Sequence, residues 1–146
     1  MQDKFFNGFL SPHFSFQELT RTSVTVYKLL NPLLAKKYIN NLTLLANYLL
    51  EPARAIIQMP LIITSGYRCQ ALNKEIRGSE TSQHLNGTAA DFIVKDKDIL
   101  EDIFIELKET PLLRYGQLIL EKSWIHISLG APFRKLNKCR ESFKII

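Results

Sequence analysis

Apolar residues recur at helical spacing in the first third of the chain and cluster in short runs after it. Ser15, with Glu18 three residues later, forms a capping box that predicts a short helix with the sequence FQELT. Asn31 followed by Pro32 predicts a second helix start, with proline at the first helical position. From there the apolar pattern predicts a long helix over residues 33–57.

Pro52 lies inside this long helical pattern. Because proline has no backbone N–H and clashes with the preceding turn, we expect it to kink or interrupt the helix near Leu50 and Glu51. The residues at near-helical spacing that we expect in the core are Leu42, Leu45, Leu49 and Ile56.

Short apolar runs bounded by turn residues predict the strands. They cover residues 61–64, which we interpret as a buried strand, and residues 89–94, 117–120 and 124–129. The last two runs are separated by only three residues, which predicts a β-hairpin.

Two more segments complete the secondary-structure prediction. Residues 71–76 predict one or two helical turns, and residues 78–87 a loop. Asp98 is expected to cap a helix that extends through Leu107, with Ile99 and Ile103 on its apolar face. Helices followed mostly by strands predict an α+β fold, with helices packed on one face of a small antiparallel sheet. The absence of repeats or linkers predicts a single domain over residues 1–146.

Composition is that of a globular protein, with 46% hydrophobic and 23% charged residues. A net charge of +5 favours a polyanionic partner, which leaves nucleic acid, an anionic membrane or a cell wall open. We interpret the basic residues of the last 16 positions as a solvated edge. They are Arg134, Lys135, Lys138, Arg140 and Lys144.

The N-terminal segment lacks the basic start and long apolar core of a signal peptide, and no run approaches the length of a membrane span. We therefore expect a chain made in the cytoplasm, without membrane insertion. Cys69 and Cys139 resemble neither a disulfide framework nor a CxxC metal site, which favours two free thiols.

Two of the three histidines and one aspartate could share a metal site. His126 lies in the run WIHIS, where alternation places it opposite the apolar face that Ile125 and Ile127 give to the core. Asp91 lies in a predicted strand, and His84 precedes it across an Asn-Gly turn that can fold the loop back. His and Asp suit zinc, and three protein ligands leave a position open for water. The alternative is that all three are ordinary polar residues, as we expect for His13.

Three segments carry a resemblance to a known family: SGYRCQALN at residues 65–73, SQHLNGTAADF at 82–92 and WIHIS at 124–128. They resemble metallopeptidase family fifteen, the zinc D-alanyl-D-alanine carboxypeptidases and related L-alanyl-D-glutamate endopeptidases that cut bacterial peptidoglycan. The opening HFSFQELT and the long helix are also similar, so the resemblance covers nearly the whole chain.

The resemblance implies one Zn²⁺ per chain, held by His84, Asp91 and His126. We expect the zinc cleft on the sheet face opposite the helices, where strand alternation places His126. The resemblance also implies that peptidoglycan stem peptides are the substrate and that Arg68 faces them at the cleft.

Glu121 is our candidate for the general base, because a tight hairpin would place it near the start of WIHIS. Many relatives instead have an acid three residues before the second zinc histidine, where this chain has Ser123. Ser82 and Gln83 are candidates to hydrogen-bond substrate, and Tyr67 and Trp124 to line the cleft, although packing or loop roles are the simpler interpretation of all four.

Three functions therefore compete. The first is a zinc peptidase of the cell wall, an endopeptidase or a carboxypeptidase, acting as a phage lytic or virion-associated enzyme. The second is a non-catalytic zinc-containing module that binds the wall or a protein. The third, a nucleic-acid binder, rests on charge alone, because the chain has no aromatic-basic RNA motif or helix-turn-helix signature, so we expect no nucleic-acid partner. Oligomeric state is not encoded in any pattern we can identify.

Overall fold

A computed structural model describes residues 8–130 and 141–144 of the chain. The helices are α1 (Phe16–Thr20), α2 (Leu30–Ala35), α3 (Ile39–Leu45), α4 (Glu51–Ile57), α5 (Gln70–Glu75) and α6 (Leu100–Glu109). The strands are β1 (Ile62–Ser65), β2 (Ala89–Ile93), β3 (Tyr115–Leu120), β4 (Ile125–Leu129) and β5 (Glu141–Lys144). Short 3₁₀ turns lie at Thr25–Tyr27, Lys36–Tyr38, Gln83–Asn86 and Lys97–Ile99.

The capping box predicted for α1 is present. The Ser15 hydroxyl accepts a hydrogen bond from the Glu18 backbone N–H at 3.0 Å, which satisfies one of the free donors at the helix start. Helix α1 then ends at Thr20, as the motif FQELT predicts.

The predicted helix start at Pro32 is wrong by two residues. Helix α2 begins at Leu30, and Asn31 lies inside it with its side chain fully buried. Its amide is engaged by distant backbone groups rather than by the helix start. The long helix is also shorter than predicted, because the 3₁₀ turn Lys36–Tyr38 separates α2 from α3.

Pro52 has the predicted effect on the helix. The turn before it, Ala46–Leu50, is π-helical, and the N–H of Glu51 bonds to the carbonyl of Ala46. A π turn contains more residues than an α turn and so changes which positions face the core. Leu42, Leu45 and Leu49 are fully buried as predicted, whereas Ile56 is only partly buried and its neighbour Ile57 is buried.

The five strands form one sheet in the order β1-β2-β4-β3-β5. Strands β1 to β4 pair antiparallel, and β3 and β4 form the predicted hairpin. Strand β5, which the sequence pattern did not predict, pairs parallel to β3. The α+β fold class is therefore confirmed.

Strand β1 is not buried on both faces, contrary to the prediction. Ile63 is 1% exposed but Ile62 is 38% exposed. The reason is that β1 is an edge strand whose side chains alternate between a face that packs on the core and a face that does not.

The predicted cap of α6 is also wrong. Asp96, not Asp98, accepts the capping hydrogen bond, from the N–H of Asp98 at 3.0 Å. The 3₁₀ turn Lys97–Ile99 therefore precedes the helix, and α6 begins at Leu100. Its buried face consists of Leu100, Ile103, Phe104 and Leu107.

The core lies between the sheet and the helices. Alternate residues of the central strands, including Ala90, Phe92, Ile125 and Ile127, belong to the same buried cluster as the apolar faces of α3, α4 and α6. Residues between them in β2 and β4 must point to the opposite face of the sheet. That face carries the polar residues described below.

Cys69 is buried and unpaired within the described part of the chain, and Cys139 lies outside that part. Of the basic residues near the C-terminus, Lys144 is exposed and forms an ion pair with Glu101 at 2.6 Å. The other four lie outside the described residues. Within residues 8–130 and 141–144, no helix has both the length and the apolarity of a membrane span.

Candidate metal centre

A rung of the sheet brings two of the predicted ligands side by side. Asp91 in β2 pairs directly with His126 in β4, and on its other side with Ser65 in β1. Directly opposed residues of adjacent strands share one face, with Cβ atoms about 5 Å apart. Because the neighbours of Asp91 face the core, its carboxylate and the imidazole of His126 project together from the outer face.

The third predicted ligand, His84, lies over this rung. It belongs to the 3₁₀ turn Gln83–Asn86, which Gly87 ends in the left-handed conformation at φ 68°. Such a φ suits glycine, and the turn folds the chain back towards β2 as the Asn-Gly dipeptide predicts. The Nδ1–H of His84 donates to the Gly66 carbonyl at 2.7 Å, which directs Nε2 towards Asp91.

Three atoms of these side chains converge. Nε2 of His84 lies 3.2 Å from Oδ1 of Asp91 and 3.2 Å from Nδ1 of His126, and the last two atoms are 2.8 Å apart. Ligands of a tetrahedral zinc ion at its usual bond lengths are roughly 3.3 Å apart. The spacing therefore fits a small divalent metal ion.

The hydrogen bonds around the imidazoles support the same conclusion. The Gly66 carbonyl can only accept, so Nδ1 of His84 carries the proton in that bond. In the tautomer with its proton on Nε2, His126 donates to Oε1 of Gln83 at 3.3 Å and turns its Nδ1 lone pair towards Asp91. In neutral rings the two inward nitrogens then have lone pairs directed at an acceptor oxygen of Asp91. Three acceptors this close are stabilised by a cation between them.

The electrostatics of the cluster favour its metal-binding form. Burial lowers the pKa of His84, which keeps its imidazole neutral and its Nε2 lone pair available. Burial alone would raise the pKa of Asp91, but the two imidazoles beside it, first His126 and then His84, outweigh burial and hold this pKa far below its usual value. The carboxylate is therefore ionised.

Arg68 lies beside the cluster. Its Nη2 is 3.9 Å from Oδ2 of Asp91, and its Nη1 donates to Oδ1 of Asn73 at 3.3 Å. Its Nε is buried without a hydrogen-bond partner in the described part of the chain. Burial lowers the pKa of Arg68, and the charge of Asp91 acts against this change.

Glu121 directly follows β3 at the turn of the hairpin, and the alternation of β3 assigns it to the face that carries the centre. Its N–H donates to the Trp124 carbonyl at 2.9 Å, which closes the turn. Ile119 pairs directly with His126, so Glu121, two residues further along, is a diagonal neighbour of that histidine. Diagonal Cβ atoms are about 7–8 Å apart, within reach of a long side chain. Glu121 and Trp124 are both partly exposed.

The remaining candidates have identifiable contacts. The Ser82 hydroxyl accepts from the N–H of His84 at 3.3 Å, and Gln83 orients His126 as described above. Tyr67 is buried against Tyr38, with ring centroids 5.3 Å apart. Burial, and to a smaller extent electrostatic repulsion from Cys69 and Tyr38, raises the pKa of Tyr67 to about 12. Substrate roles for these residues stay predictions.

The histidine expected to lie outside the site does so. His13 is exposed, and its Nδ1 lies 2.8 Å from a carboxylate oxygen of Glu51. Within the described residues, His84, Asp91 and His126 are the one group of three or more His, Cys, Asp or Glu residues whose ligand atoms lie within 4.8 Å of one another.

Sequence reasoning missed two supporting groups, the Gly66 carbonyl and the Asn73 amide. A sequence carries no signature of a backbone carbonyl, but the need for glycine at position 66 has a structural reason. A Cβ at this position would lie 2.1 Å from the Leu19 carbonyl oxygen, so only glycine fits there.

Comparison with known proteins gives one family. The sequence model of the family described as Peptidase M15 matches residues 12–128, a range that includes every candidate residue above. A search of curated proteins found no significant match.

Proposed function

The chain belongs to the peptidase M15 family, and from this membership we propose that it is a zinc-dependent peptidase that hydrolyses amide bonds in peptidoglycan stem peptides. The observation that carries the proposal is the convergence of His84, Asp91 and His126 on one point of the outer sheet face. Two imidazoles and one carboxylate are a ligand set of catalytic zinc sites, in which the fourth position is left for water or substrate.

The three ligands would hold the ion through Nε2 of His84, Oδ1 of Asp91 and Nδ1 of His126. When bound, zinc supplies a Lewis acid that lowers the pKa of water and polarises the scissile carbonyl. Gly66 and Gln83 keep the outer nitrogens of the imidazoles protonated, which leaves the inner lone pairs directed at the site.

Glu121 is the proposed general base. Its carboxylate would accept a proton from the attacking water and deliver it to the leaving amine. Its place diagonal to His126 supports this role, because a glutamate side chain is long enough to reach a diagonal neighbour. Its distance in sequence from His126 differs from the spacing of many relatives, and the hairpin turn compensates by folding it back.

Arg68 is the proposed electrostatic partner of the substrate. A guanidinium stays charged and can donate two parallel hydrogen bonds to a carboxylate or to a developing oxyanion. Asn73 and Asp91 hold it beside the centre, and its buried Nε–H is a donor still available there.

Ser82, Gln83, Tyr67 and Trp124 are proposed to shape the cleft around the stem peptide. The positive net charge would favour approach to the anionic wall. We propose the bacterial cell wall as the place of action, with a phage lytic or virion-associated role.

Metal analysis combined with mass spectrometry of digested, defined muropeptides tests the proposal. We expect about one zinc per wild-type chain and release of stem-peptide fragments. His84→Ala should lose both zinc and cleavage. His13→Ala is the matched control, because it removes a histidine outside the centre and should keep both.

A zinc-loaded wild-type protein that cleaves no muropeptide would contradict the peptidase proposal. If such a protein still bound isolated cell walls, the non-catalytic zinc module would be the correct interpretation. Ser123, at the position where many relatives have their acid, is the feature that favours this second candidate.

A further inference from the structure

Asn31 is a buried polar residue with every amide group engaged. Its Nδ2 donates to the carbonyl of Thr20 at 2.7 Å and to that of Tyr67 at 2.8 Å. Its Oδ1 accepts from the N–H of Cys69 at 2.7 Å. These contacts define the amide orientation, since the reverse would place an oxygen against two carbonyls. The side chain is fully buried, so water cannot replace these bonds.

The segment that Asn31 holds, residues 66–69, joins β1 to α5 without regular secondary structure. Its other backbone groups are also bonded at a distance. The N–H of Tyr67 donates to the Leu19 carbonyl at 2.8 Å, and that of Arg68 to the His84 carbonyl at 3.1 Å. Buried backbone without a ladder of its own depends on such partners for its conformation.

The same segment forms one wall of the candidate metal centre. Gly66 accepts the hydrogen bond that selects the tautomer of His84. Arg68, two residues on, extends its guanidinium to Asp91. A shift of this segment would therefore misplace both His84, a proposed metal ligand, and Arg68, the proposed partner of the substrate.

We propose that Asn31 is a positioning residue for the metal centre, which acts through the backbone of residues 66–69. Its amide holds the Gly66 carbonyl against His84 and the base of Arg68 beside Asp91. This role rests on the proposed function, because it supposes that the cluster binds zinc. The proposal gives α2 control over the geometry of the centre, although the proposed ligands all lie outside that helix.

Asn31→Asp is the sharpest variant. It keeps the size of the side chain and an acceptor for the Cys69 N–H, but it replaces the donors to Thr20 and Tyr67 with a second acceptor. The two carbonyls then face an oxygen, and the segment must move to relieve the repulsion. Asn31→Ser is a milder second variant, with a hydroxyl that can still donate one hydrogen bond.

Zinc affinity is the decisive measurement, made by competition with a chromophoric chelator at a temperature where every variant is folded. We expect the dissociation constant of Asn31→Asp to rise at least tenfold, as is usual when the group that is hydrogen-bonded to a metal ligand, here the Gly66 carbonyl, is displaced. The ¹⁵N signals of the His84 imidazole should show loss of the Nδ1–H tautomer.

Leu107→Ala is the control for simple destabilisation. Leu107 is fully buried on α6 and contacts the core, not the centre. This variant should lower the melting temperature at least as much as Asn31→Asp and keep the zinc dissociation constant within twofold of wild type. A wild-type zinc affinity in Asn31→Asp would overturn the proposal. If that variant does not fold, Asn31→Ser is judged by the same criteria.

The two proposals fail in different ways. A wild-type protein that binds no zinc contradicts the proposed function. The inference about Asn31 is then decided by the His84 imidazole signals of the metal-free protein. An Nδ1–H tautomer that is unchanged in the Asn31 variants would refute it.

Discussion

The imidazole of His84 presents Nε2 to the candidate centre because a backbone carbonyl engages its other nitrogen. The bond to Gly66 at 2.7 Å fixes both the tautomer and the ring orientation. Burial lowers the pKa of His84, so the ring stays neutral where a charged one could not bind a metal ion. A single histidine thus depends on a glycine 18 positions earlier in the chain.

Glu121→Gln tests the proposed base without disturbing the ligands. The amide has the shape of the carboxylate but cannot accept a proton, so kcat should fall by about 100-fold or more. Zinc content should stay at the wild-type value, because Glu121 is not among the converging ligands. Steady-state kinetics on a defined muropeptide and metal analysis measure the two quantities.

Glu106→Gln, on the exposed side of α6, is the matched control and should leave kcat unchanged. If Glu121→Gln retained wild-type kcat, a different carboxylate would have to be the base.

At the scale of elements, Glu51 at the start of α4 is hydrogen-bonded to the N-terminal turn that contains Ser11 and His13. Its carboxylate accepts hydrogen bonds from the Ser11 hydroxyl and the His13 N–H, both at 2.7 Å. Burial alone would raise the pKa of Glu51, but these bonds, with the hydrogen bond and charge of the His13 ring, outweigh it and lower the pKa. These hydrogen bonds hold the N-terminal turn beside the π-helical segment.

Glu51→Gln should therefore destabilise the protein in a pH-dependent way. A folded-state pKa below the unfolded value of about 4.3 means that the carboxylate stabilises the protein fully above that pH. The stabilisation is lost as the pH falls through the lower, folded-state value. At pH 7 we expect the variant to be about 1–2 kcal/mol less stable than wild type, from the lost charged hydrogen bonds.

Urea unfolding at pH 7 and at pH 3 measures this difference, which should shrink at the lower pH. Glu106→Gln serves again as the control, with a change within about 0.5 kcal/mol at both values, as is usual for an exposed side chain. An equal difference between wild type and Glu51→Gln at both pH values would show that the charge of Glu51 does not contribute.

At the scale of the whole molecule, the candidate centre links three parts of the chain: the turn Gln83–Asn86, β2 and β4. An ion bound there would stabilise only the folded state, in which the three ligands meet. Chelation of zinc should therefore lower the melting temperature of the wild-type protein by about 10 °C.

Thermal unfolding followed by circular dichroism, with and without a chelator, measures this effect. His126→Ala has lost a ligand and should melt at one temperature under both conditions. A wild-type melting temperature that did not respond to the chelator would contradict metal binding at this centre.

Much of the fold and of the candidate centre is determined by local sequence. The Ser15 cap, the interruption before Pro52 and the β3–β4 hairpin depend on residues a few positions apart, so patterns of spacing predict them. The order and spacing of His84, Asp91 and His126 likewise identified the residues that the fold brings together.

Tertiary structure alone decided how those residues are held. Asn31 marked a predicted helix start because proline follows it, but its amide bonds to Tyr67, 36 positions away. The Gly66 carbonyl, the choice of imidazole nitrogen and the pairing of β5 with β3 also depend on segments distant in sequence. Such contacts follow from how elements pack, and local propensity carries no information about which distant group will be the partner.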